Sequence, residues 1–115
     1  SQPYPFLVAT EGSKLLGFTT YSPFRAGPGY LHTMELSIYL AETTRGKCLG
    51  TRLLQTLETE GRNNAVTALI AGVSGANPNA IRFHEKNNYI RVGMLPQVGQ
   101  KFGQGLDLVL LQKLL

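Results

Sequence analysis

The segment TMELSIYL, residues 33–40, is the most informative part of this 115-residue chain for predicting its fold. Its apolar residues Met34, Leu36, Ile38 and Leu40 alternate with other residues, so in an extended chain they all point to the same side. The pattern predicts a β-strand with one face against a hydrophobic core. Its other face carries Thr, Glu, Ser and Tyr side chains that can do chemistry.

A short basic loop with two glycines, RGKCLG at residues 45–50, follows this strand and leads into a helix predicted at about residues 50–61. Gly61 suits the position just beyond the end of that helix. One apolar stripe along the helix is formed by four leucines, namely Leu49, Leu53, Leu54 and Leu57.

The chain before this unit predicts a β-hairpin, since β-prone runs at 6–10 and 15–21 flank a turn. After the unit, the apolar run at 65–71 predicts a strand buried on both faces, as in a parallel pair. The pair Asn77-Pro78 is typical of an N-cap followed by proline at the first helical position.

The second helix is predicted to run to about Asn87, where Asn87-Asn88 can provide a left-handed stop. Strands at 89–94 and 106–111 complete the chain. The order β-β-β-α-β-α-β-β predicts one α/β domain over residues 1–115, with a right-handed crossover between its third and fourth strands.

Composition narrows the function classes. The single cysteine, Cys48, excludes an internal disulfide and leaves too few thiols for a zinc finger, so we expect a reducing cytoplasmic setting and no metal. The net charge of +4 favours anionic ligands, but the basic residues are scattered, so we expect no nucleic acid as partner. The chain has no apolar run of about 18 residues, so we expect no membrane span.

The basic loop predicts an anion site. The first turn of a helix presents N–H groups without partners, and Gly46 and Gly50 allow the main chain to come close to a ligand. Arg45 and Lys47 add positive charge, so the loop suits a diphosphate group. The alternative is an ordinary strand-to-helix turn, and the loop lacks the Gly-Lys-Ser/Thr ending of a P-loop.

Four motifs, in order and over nearly the whole chain, resemble one family. The segment Arg45–Gly50 resembles the Q/R-x-x-G-x-G/A acetyl-CoA motif of the GNAT superfamily. The segments 33–40, 77–89 and 101–107 resemble the phosphinothricin-acetyltransferase-like branch of that superfamily. The resemblance implies a GNAT-like fold, a mixed and splayed β-sheet with flanking helices. It also implies N-acetyl transfer from acetyl-CoA to a small amine, such as an amino acid, phosphinothricin or methionine sulfoximine.

The resemblance also implies roles for individual residues. Glu35 becomes the candidate general base, and His84 stands where many GNAT enzymes have a Tyr proposed to protonate the leaving thiolate. Asn77 is expected to bind the pantetheine arm, and Arg25 to clamp an acceptor carboxylate. Main-chain pairing with pantetheine is assigned to Ile38, Tyr39 and Leu40. The diphosphate is assigned to the main chain of the loop and first helical turn, which comprises Gly46, Lys47, Cys48, Leu49, Gly50 and Thr51 beside Arg45.

Two further polar residues and the assembly complete the expectations. Asp107 resembles an Asp near the acceptor side of the family site, with a structural hydrogen bond as the alternative. His32 has no partner in any motif, and we expect it to be structural. By resemblance, the enzyme is a homodimer.

The chain also departs from the family pattern. Cys48 stands where the family has Gly, and a side chain at positive φ costs about 1 kcal/mol. Asn88 replaces another Gly, a mild change because Asn tolerates that conformation. The first strand and two helices of the family are expected to be absent. Two alternatives remain, a non-catalytic acetyl-CoA-binding module and a basic nucleic-acid-binding domain.

Overall fold

The secondary structure follows the predicted order of strands and helices. The structure, a computed structural model, describes residues 4–44 and 48–115. Two short 3-10 turns, Pro28–Tyr30 and Glu42–Thr44, flank the third strand. The main elements are β1 (Phe6–Glu11), β2 (Lys14–Pro23), β3 (Thr33–Leu40), α1 (Leu49–Asn63), β4 (Ala68–Ser74), α2 (Pro78–Lys86), β5 (Ile90–Lys101) and β6 (Gln104–Leu114).

The strands form a six-stranded sheet in the order β1-β2-β3-β4-β6-β5. Neighbouring strands are antiparallel except for β3 and β4, which are parallel and are joined in sequence by α1. The predicted mixed α/β architecture and the parallel central pair are therefore confirmed.

Both helices contribute to the hydrophobic core on one face of the sheet. Leu54 and Leu57 of α1 and Ile81 of α2 pack in one cluster with Leu69 and Leu111 of the sheet. Burying a leucine side chain contributes about 1.5–3 kcal/mol. Met34 and Leu36 of β3 join this cluster, as their alternation predicts. None of the helices in the described part of the chain is long and apolar enough to cross a membrane.

The end of α1 corrects two predicted boundaries. The helix runs past Gly61 to Asn63, and the residue at positive φ is Ala65, with φ 64°. The N–H of Val66 donates to the C=O of Gly61 at 2.8 Å, and the N–H of Ala65 donates to the C=O of Arg62 at 3.4 Å. These bonds form a Schellman motif in which Ala65 occupies the position that usually holds Gly. Since Ala65 belongs to this stop, β4 begins at 68 rather than 65.

Helix α2 begins and ends at the predicted residues. The side chain of Asn77 caps it by accepting a hydrogen bond from the N–H of Ala80 at 3.1 Å, and Pro78 is its first residue. Asn88 has φ 73°, and the N–H of Tyr89 donates to the C=O of His84 at 3.0 Å. The predicted left-handed stop is thus confirmed as a second Schellman motif without glycine.

The last two strands are longer than predicted and form one hairpin. Phe102 and Gly103, both at positive φ, make the two-residue turn between them, the geometry of a type I′ turn. The register of β5 on β6 shifts between Leu95 and Gly99, where Gln97 has φ 59°. This bulge interrupts the alternation of the sequence, which is why the pattern ended the fifth strand at 94.

Candidate functional site

The sheet opens between β3 and β4. Their paired register ends at Leu36↔Ala71, although β3 continues to Leu40 and β4 to Ser74. Beyond this point β3 remains paired with β2, and β4 remains paired with β6. The two central strands therefore border a cleft, each with its outer edge held in the sheet and its inner edge exposed to the gap.

Main-chain polar groups face this cleft. The N–H of Ala41 donates to the C=O of Leu16, and Thr19 Oγ1 donates to the C=O of Ser37, so these odd-numbered residues of the β3 segment direct main-chain groups toward β2. Because such groups alternate along a strand, those of Ile38 and Leu40 point the other way, into the cleft. The two residues offer hydrogen-bond donors and acceptors to an extended polar ligand.

The cleft has a volume of about 790 Å³. It brings together most of the residues that the sequence assigned to the site. These are Glu35, Ile38, Leu40, Cys48, Leu49, Gly50, Thr51, Asn77 and His84. The other candidates in the loop, Arg45, Gly46 and Lys47, lie outside the described residues.

One end of the cleft is the N-terminus of α1, where Cys48 occupies the N-cap position. Its main chain is left-handed, with φ 58° and ψ 14°, and its side chain makes no capping bond. The thiol is free and exposed. Cys48 therefore has the positive φ at which an L-residue costs about 1–2 kcal/mol.

Gly50 permits a close approach of three elements at the same end. A Cβ atom at this position would lie 2.7 Å from Leu40 Cδ1 and 2.9 Å from Phe83 Cε1. The first turn of α1 can therefore lie against β3 and α2 only because residue 50 has no side chain. The glycine thus brings the N–H groups of the helix N-terminus to the edge of the cleft.

Glu35 lies at the point where the strands separate. The side chain is exposed, on the sheet face opposite the helices, and its Oε2 is 3.4 Å from where a Cβ on Gly72 would be. Gly72 is the first residue of β4 after the last paired position, so the carboxylate lies over bare main chain at the opening. A carboxylate there can accept a proton from a group that enters the cleft.

His84 contributes an imidazole from α2 that is only 4% exposed. Its Nδ1 lies 2.8 Å from the C=O of Ala80. Burial lowers the pKa of His84, and the hydrogen bond with Ala80 opposes that shift only in part. The imidazole is therefore neutral at pH 7, which bears on its predicted role as a proton donor.

A buried polar cluster lies behind His84. The ring of Tyr89 meets the imidazole edge-on at 5.6 Å, and the Tyr89 hydroxyl donates to Glu58 Oε2 at 2.9 Å. Lys113 Nζ donates to Glu58 Oε1 at 3.0 Å and to the C=O of Asn87 at 3.2 Å. Burial and the charge of Glu58 raise the pKa of Tyr89, so its phenol stays protonated. The cluster ties α1, the end of α2 and β6 together.

Two predicted binding residues are placed elsewhere. Tyr39 stacks on Phe18, with ring centroids 5.5 Å apart, and its C=O points toward Gly17 of β2. Arg25 lines a separate cavity of about 450 Å³ beside the loop that joins β2 to β3, with its guanidinium 5.1 Å from the centroid of the Tyr30 ring. Neither the main chain of Tyr39 nor the side chain of Arg25 therefore faces the cleft.

Asp107 and His32, whose roles the sequence left open or structural, each make a hydrogen bond within the fold. Asp107 Oδ1 accepts from the N–H of Gln97 at 3.0 Å and holds the bulge of β5. His32 Nδ1 lies 2.8 Å from the C=O of Ala65, so His32 braces the loop after α1. Both contacts agree with structural roles.

Gly72, Phe83 and Lys86 are among the cleft-lining residues that sequence reasoning did not assign to the site. Gly72 lies within an apolar run whose pattern marks only a buried strand. Lys86 belongs to the last turn of α2, where a basic residue is also expected for helix stability. The sequence alone does not mark Gly72 or Lys86 as functional, because their position at the cleft depends on which elements meet there.

The chain is similar to known acetyltransferases. The model of the Acetyltransferase (GNAT) family matches residues 1–89. An L-methionine sulfoximine/L-methionine sulfone acetyltransferase of Pseudomonas aeruginosa is 38% identical over 112 residues. The match covers 96% of this chain and 65% of that relative.

Two solved structures have closely similar folds. A ribosomal-protein-alanine N-acetyltransferase from Brucella melitensis has a TM-score of 0.91 and 42% identity, over 97% of this chain and 69% of the other. An acetyltransferase from Salmonella typhimurium with its cofactor acetyl-CoA has a TM-score of 0.90 and 34% identity, over 97% and 65%. The chain thus spans about two thirds of the length of the proteins it matches.

Proposed function

Because the chain belongs to the GNAT acetyltransferase family, we propose that it transfers an acetyl group from acetyl-CoA to the amine of a small molecule. The observation that carries the proposal is the opening between β3 and β4. It places outward-facing main-chain groups, a carboxylate and a helix N-terminus along one cleft.

The pantetheine arm of acetyl-CoA matches the inner edge of β3. Pantetheine is an extended chain with two amide groups, and Ile38 and Leu40 offer main-chain donors and acceptors at strand spacing. Asn77 lines the same cleft. Its Oδ1 is used to cap α2, which leaves the two hydrogens of its amide nitrogen to donate to the arm. Tyr39 contributes by its stacking on Phe18, which fixes the strand.

The diphosphate is assigned to the start of α1. The N–H groups of Leu49, Gly50 and Thr51 belong to the first turn of a 15-residue helix, where the helix dipole favours an anion. Arg45, Gly46 and Lys47 immediately precede this turn in sequence, and we assign them to the same group. Lys86 adds a cation to the cleft wall.

Glu35 is assigned as the base that prepares the acceptor. An α-amine has a reference pKa of about 7.7–8, so most of it is protonated at pH 7 and must lose a proton before attack. The Glu35 carboxylate, exposed at the opening, can take that proton directly or through a water. The neutral amine can then attack the thioester carbonyl, and the coenzyme A thiol leaves.

The acceptor is proposed to be an amino acid or an analogue such as methionine sulfoximine or phosphinothricin. The names of the relatives support this class, since one acts on methionine sulfoximine and another is a phosphinothricin N-acetyltransferase. Arg25 is assigned to the acceptor carboxylate, which requires the acceptor to reach the separate cavity that Arg25 lines. A homodimer in the cytoplasm completes the proposal.

A second candidate is a module that binds acetyl-CoA without turning it over. The left-handed Cys48 favours it, because strain at the diphosphate end weakens the catalytic geometry. The two candidates differ in whether free thiol appears when an amine is added.

The test is a thiol-release assay with acetyl-CoA and a panel of amino acids and their analogues, beside calorimetric binding of acetyl-CoA. We expect Glu35→Gln to reduce kcat by about 100-fold or more while cofactor affinity stays within about twofold. Glu11→Gln, on an exposed residue of the edge strand β1, is the matched control. Equal turnover in Glu35→Gln would remove Glu35 from the mechanism, and binding without turnover of any amine would favour the module.

A further inference from the structure

Thr19 buries a hydroxyl on the side of β2 that faces the core. Its side chain is 0% exposed, and Tyr21, two residues along the same strand, belongs to the hydrophobic cluster. A buried hydroxyl needs an acceptor, and Thr19 Oγ1 donates to the C=O of Ser37 at 2.9 Å. Valine has a similar shape and needs no acceptor, so packing alone does not require a hydroxyl at this position.

The acceptor of this hydrogen bond lies where the cleft begins. Ser37 is the first residue of β3 beyond the last pair with β4, and β2 stays in one continuous register alongside it. Ser37 is the ladder partner of Thr20 and directs its main-chain groups toward β2. Its C=O therefore accepts from the N–H of Thr20 as well as from the Thr19 hydroxyl.

The C=O of Ser37 belongs to the same peptide group as the N–H of Ile38. A trans peptide is planar, so its C=O and its N–H point in opposite directions. Two donors that hold the C=O on the β2 side therefore direct the N–H toward the cleft, which Ile38 lines. Hydrogen bonds in a chain also polarise one another, so a C=O that accepts twice makes the N–H of its peptide a stronger donor.

Leu40, the other residue whose main chain faces the cleft, has no such support from a side chain. Its N–H shares a peptide group with the C=O of Tyr39, which faces Gly17 of β2. A Cβ atom on Gly17 would lie only 2.6 Å from that carbonyl oxygen, so this position has room for no hydroxyl-bearing side chain. The peptide before Ile38 is thus held by a side chain and by main chain, and the peptide before Leu40 by main chain alone.

Resting on the proposed function, we propose that Thr19 is a positioning residue for acetyl-CoA. Its hydroxyl holds the peptide between Ser37 and Ile38 so that the N–H of Ile38 donates to an amide C=O of the pantetheine arm. Thr19 acts through this peptide rather than by touching the cofactor, because its side chain is wholly buried. The pantetheine arm keeps this bond throughout the reaction, so Thr19 affects binding of the cofactor and not the chemical step.

The first arm of the test compares Thr19→Val with Thr19→Ser by calorimetry, thiol-release kinetics and urea unfolding. We expect Thr19→Val to raise the Kd and the KM for acetyl-CoA by about 3- to 10-fold, the value of one hydrogen bond, with kcat unchanged within about twofold. Thr19→Ser keeps the hydroxyl and should keep the Kd within about twofold. If the hydroxyl only stabilises the fold, Thr19→Val loses stability and binds acetyl-CoA normally, which overturns the proposal.

Thr20→Val is the matched control. Thr20 is the next residue of the same strand, and its Oγ1 donates to the C=O of Pro5 at 2.6 Å, away from the cleft. The variant loses a bond of the same kind and keeps the main-chain N–H that serves Ser37. Its affinity for acetyl-CoA should match that of the unaltered chain. Equal weakening in Thr19→Val and Thr20→Val would assign the effect to β2 in general and overturn the proposal.

The second arm is ¹H–¹⁵N NMR of the chain without ligand, which needs no binding or turnover. Thr19→Val should move the amide signal of Ile38 more than that of Leu40, and Thr19→Ser should leave both near their original positions. An Ile38 signal that Thr19→Val leaves unmoved overturns the positioning role.

The proposed function and the role of Thr19 fail in different ways. If the unaltered chain binds no acetyl-CoA, the proposed function fails and the role of Thr19 in binding fails with it. If the unaltered chain binds acetyl-CoA and Thr19→Val binds it equally well, only the role of Thr19 is overturned.

Discussion

The carboxylate of Glu35 lies against the main chain of Gly72, with its Oε2 3.4 Å from the position that a Cβ atom would occupy on residue 72. Leu108 Cδ1 lies 3.3 Å from the same position. A methyl group there touches both side chains at once, and of the two the exposed Glu35 is freer to move.

We therefore expect Gly72→Ala to displace the carboxylate and to lower kcat by about 10- to 100-fold, because small misplacements of a catalytic group are costly. Steady-state kinetics of thiol release measure the effect. Gly93→Ala is the matched control, since a Cβ at Gly93 meets no atom within 4 Å. Equal kcat in the two variants would show that Gly72 does not position Glu35.

Gly50→Ala is expected to destabilise the protein by about 1–3 kcal/mol. Alanine gains about 1 kcal/mol in helix propensity, but its Cβ would meet Leu40 at 2.7 Å and Phe83 at 2.9 Å, and overpacking costs more. Acetyl-CoA affinity should fall as well, because both displaced side chains line the cleft. Urea unfolding and calorimetry measure the two effects, with Gly29→Ala, which has open space, as the control. A variant as stable as the control would contradict the packing argument.

Cys48→Gly should stabilise the chain by about 0.5–1 kcal/mol. It removes a left-handed strain of about 1–2 kcal/mol and adds about 0.5–1 kcal/mol of chain entropy in the unfolded state. Cys48→Ala keeps the Cβ and loses only the thiol, so it should show no gain. Both are compared by urea unfolding at one pH. A gain of equal size in the alanine variant would trace the effect to the thiol rather than to the main chain.

The two helix stops predict different responses to glycine. Ala65→Gly should stabilise by about 0.5–1 kcal/mol, since Ala65 has φ 64° and no side-chain group that favours this conformation. Asn88→Gly should gain only about a few tenths of a kcal/mol, because Asn tolerates the left-handed region. Thermal and urea unfolding of both variants test the order. The reverse order would mean that the Schellman geometry does not set the stability of these positions.

Acid should weaken the fold through His84. Its pKa is lowered in the folded protein, so below the unfolded value of about 6.5 the unfolded chain binds more protons than the folded one. The free energy of unfolding therefore falls as the pH drops below about 6.5, by at most about 1.4 kcal/mol per pH unit from this group. The slope ends once the pH is below the lowered folded pKa.

Urea unfolding between pH 5 and 8 measures this slope. His84→Gln should flatten it relative to the unaltered chain. If His84→Gln keeps the full slope, the proton taken up on unfolding belongs to another group.

Alternation and glycine placement are local properties, so the sequence predicted the order of elements, and the resemblance of its four motifs indicated the family and the cleft residues on β3 and at the start of α1. The sequence was less successful at the end of α1. It placed a stop at Gly61, whereas the structure uses Ala65, because a tight contact explains Gly61 better. A Cβ on Gly61 would lie 3.2 Å from Leu115 and 3.3 Å from Val66, contacts between distant parts of the chain. A glycine kept for packing and a glycine kept for its φ look alike in a sequence.

The sequence also could not predict that the His84 imidazole is neutral. The motif position suggested a proton donor, and only the bond to Ala80 and the burial under Tyr89 determine which nitrogen holds the hydrogen. All the assigned site roles stay predictions, among them those of Arg45, Gly46, Lys47 and Arg25. Their tests are the cofactor and acceptor affinities of single-alanine variants.

Because β3 separates from β4 after Leu36 and Ala71, amide hydrogen exchange along β3 can report whether a ligand occupies the cleft. The amide hydrogens of Ile38 and Leu40 face the gap rather than a neighbouring strand, so they exchange with solvent while the gap is empty. A guest that bonds to them slows that exchange, whereas amides directed toward β2, such as that of Tyr39, are protected in both states. The ratio of the amide exchange rates of adjacent residues on β3 thus reports ligand binding in the gap, and the ligand needs no label.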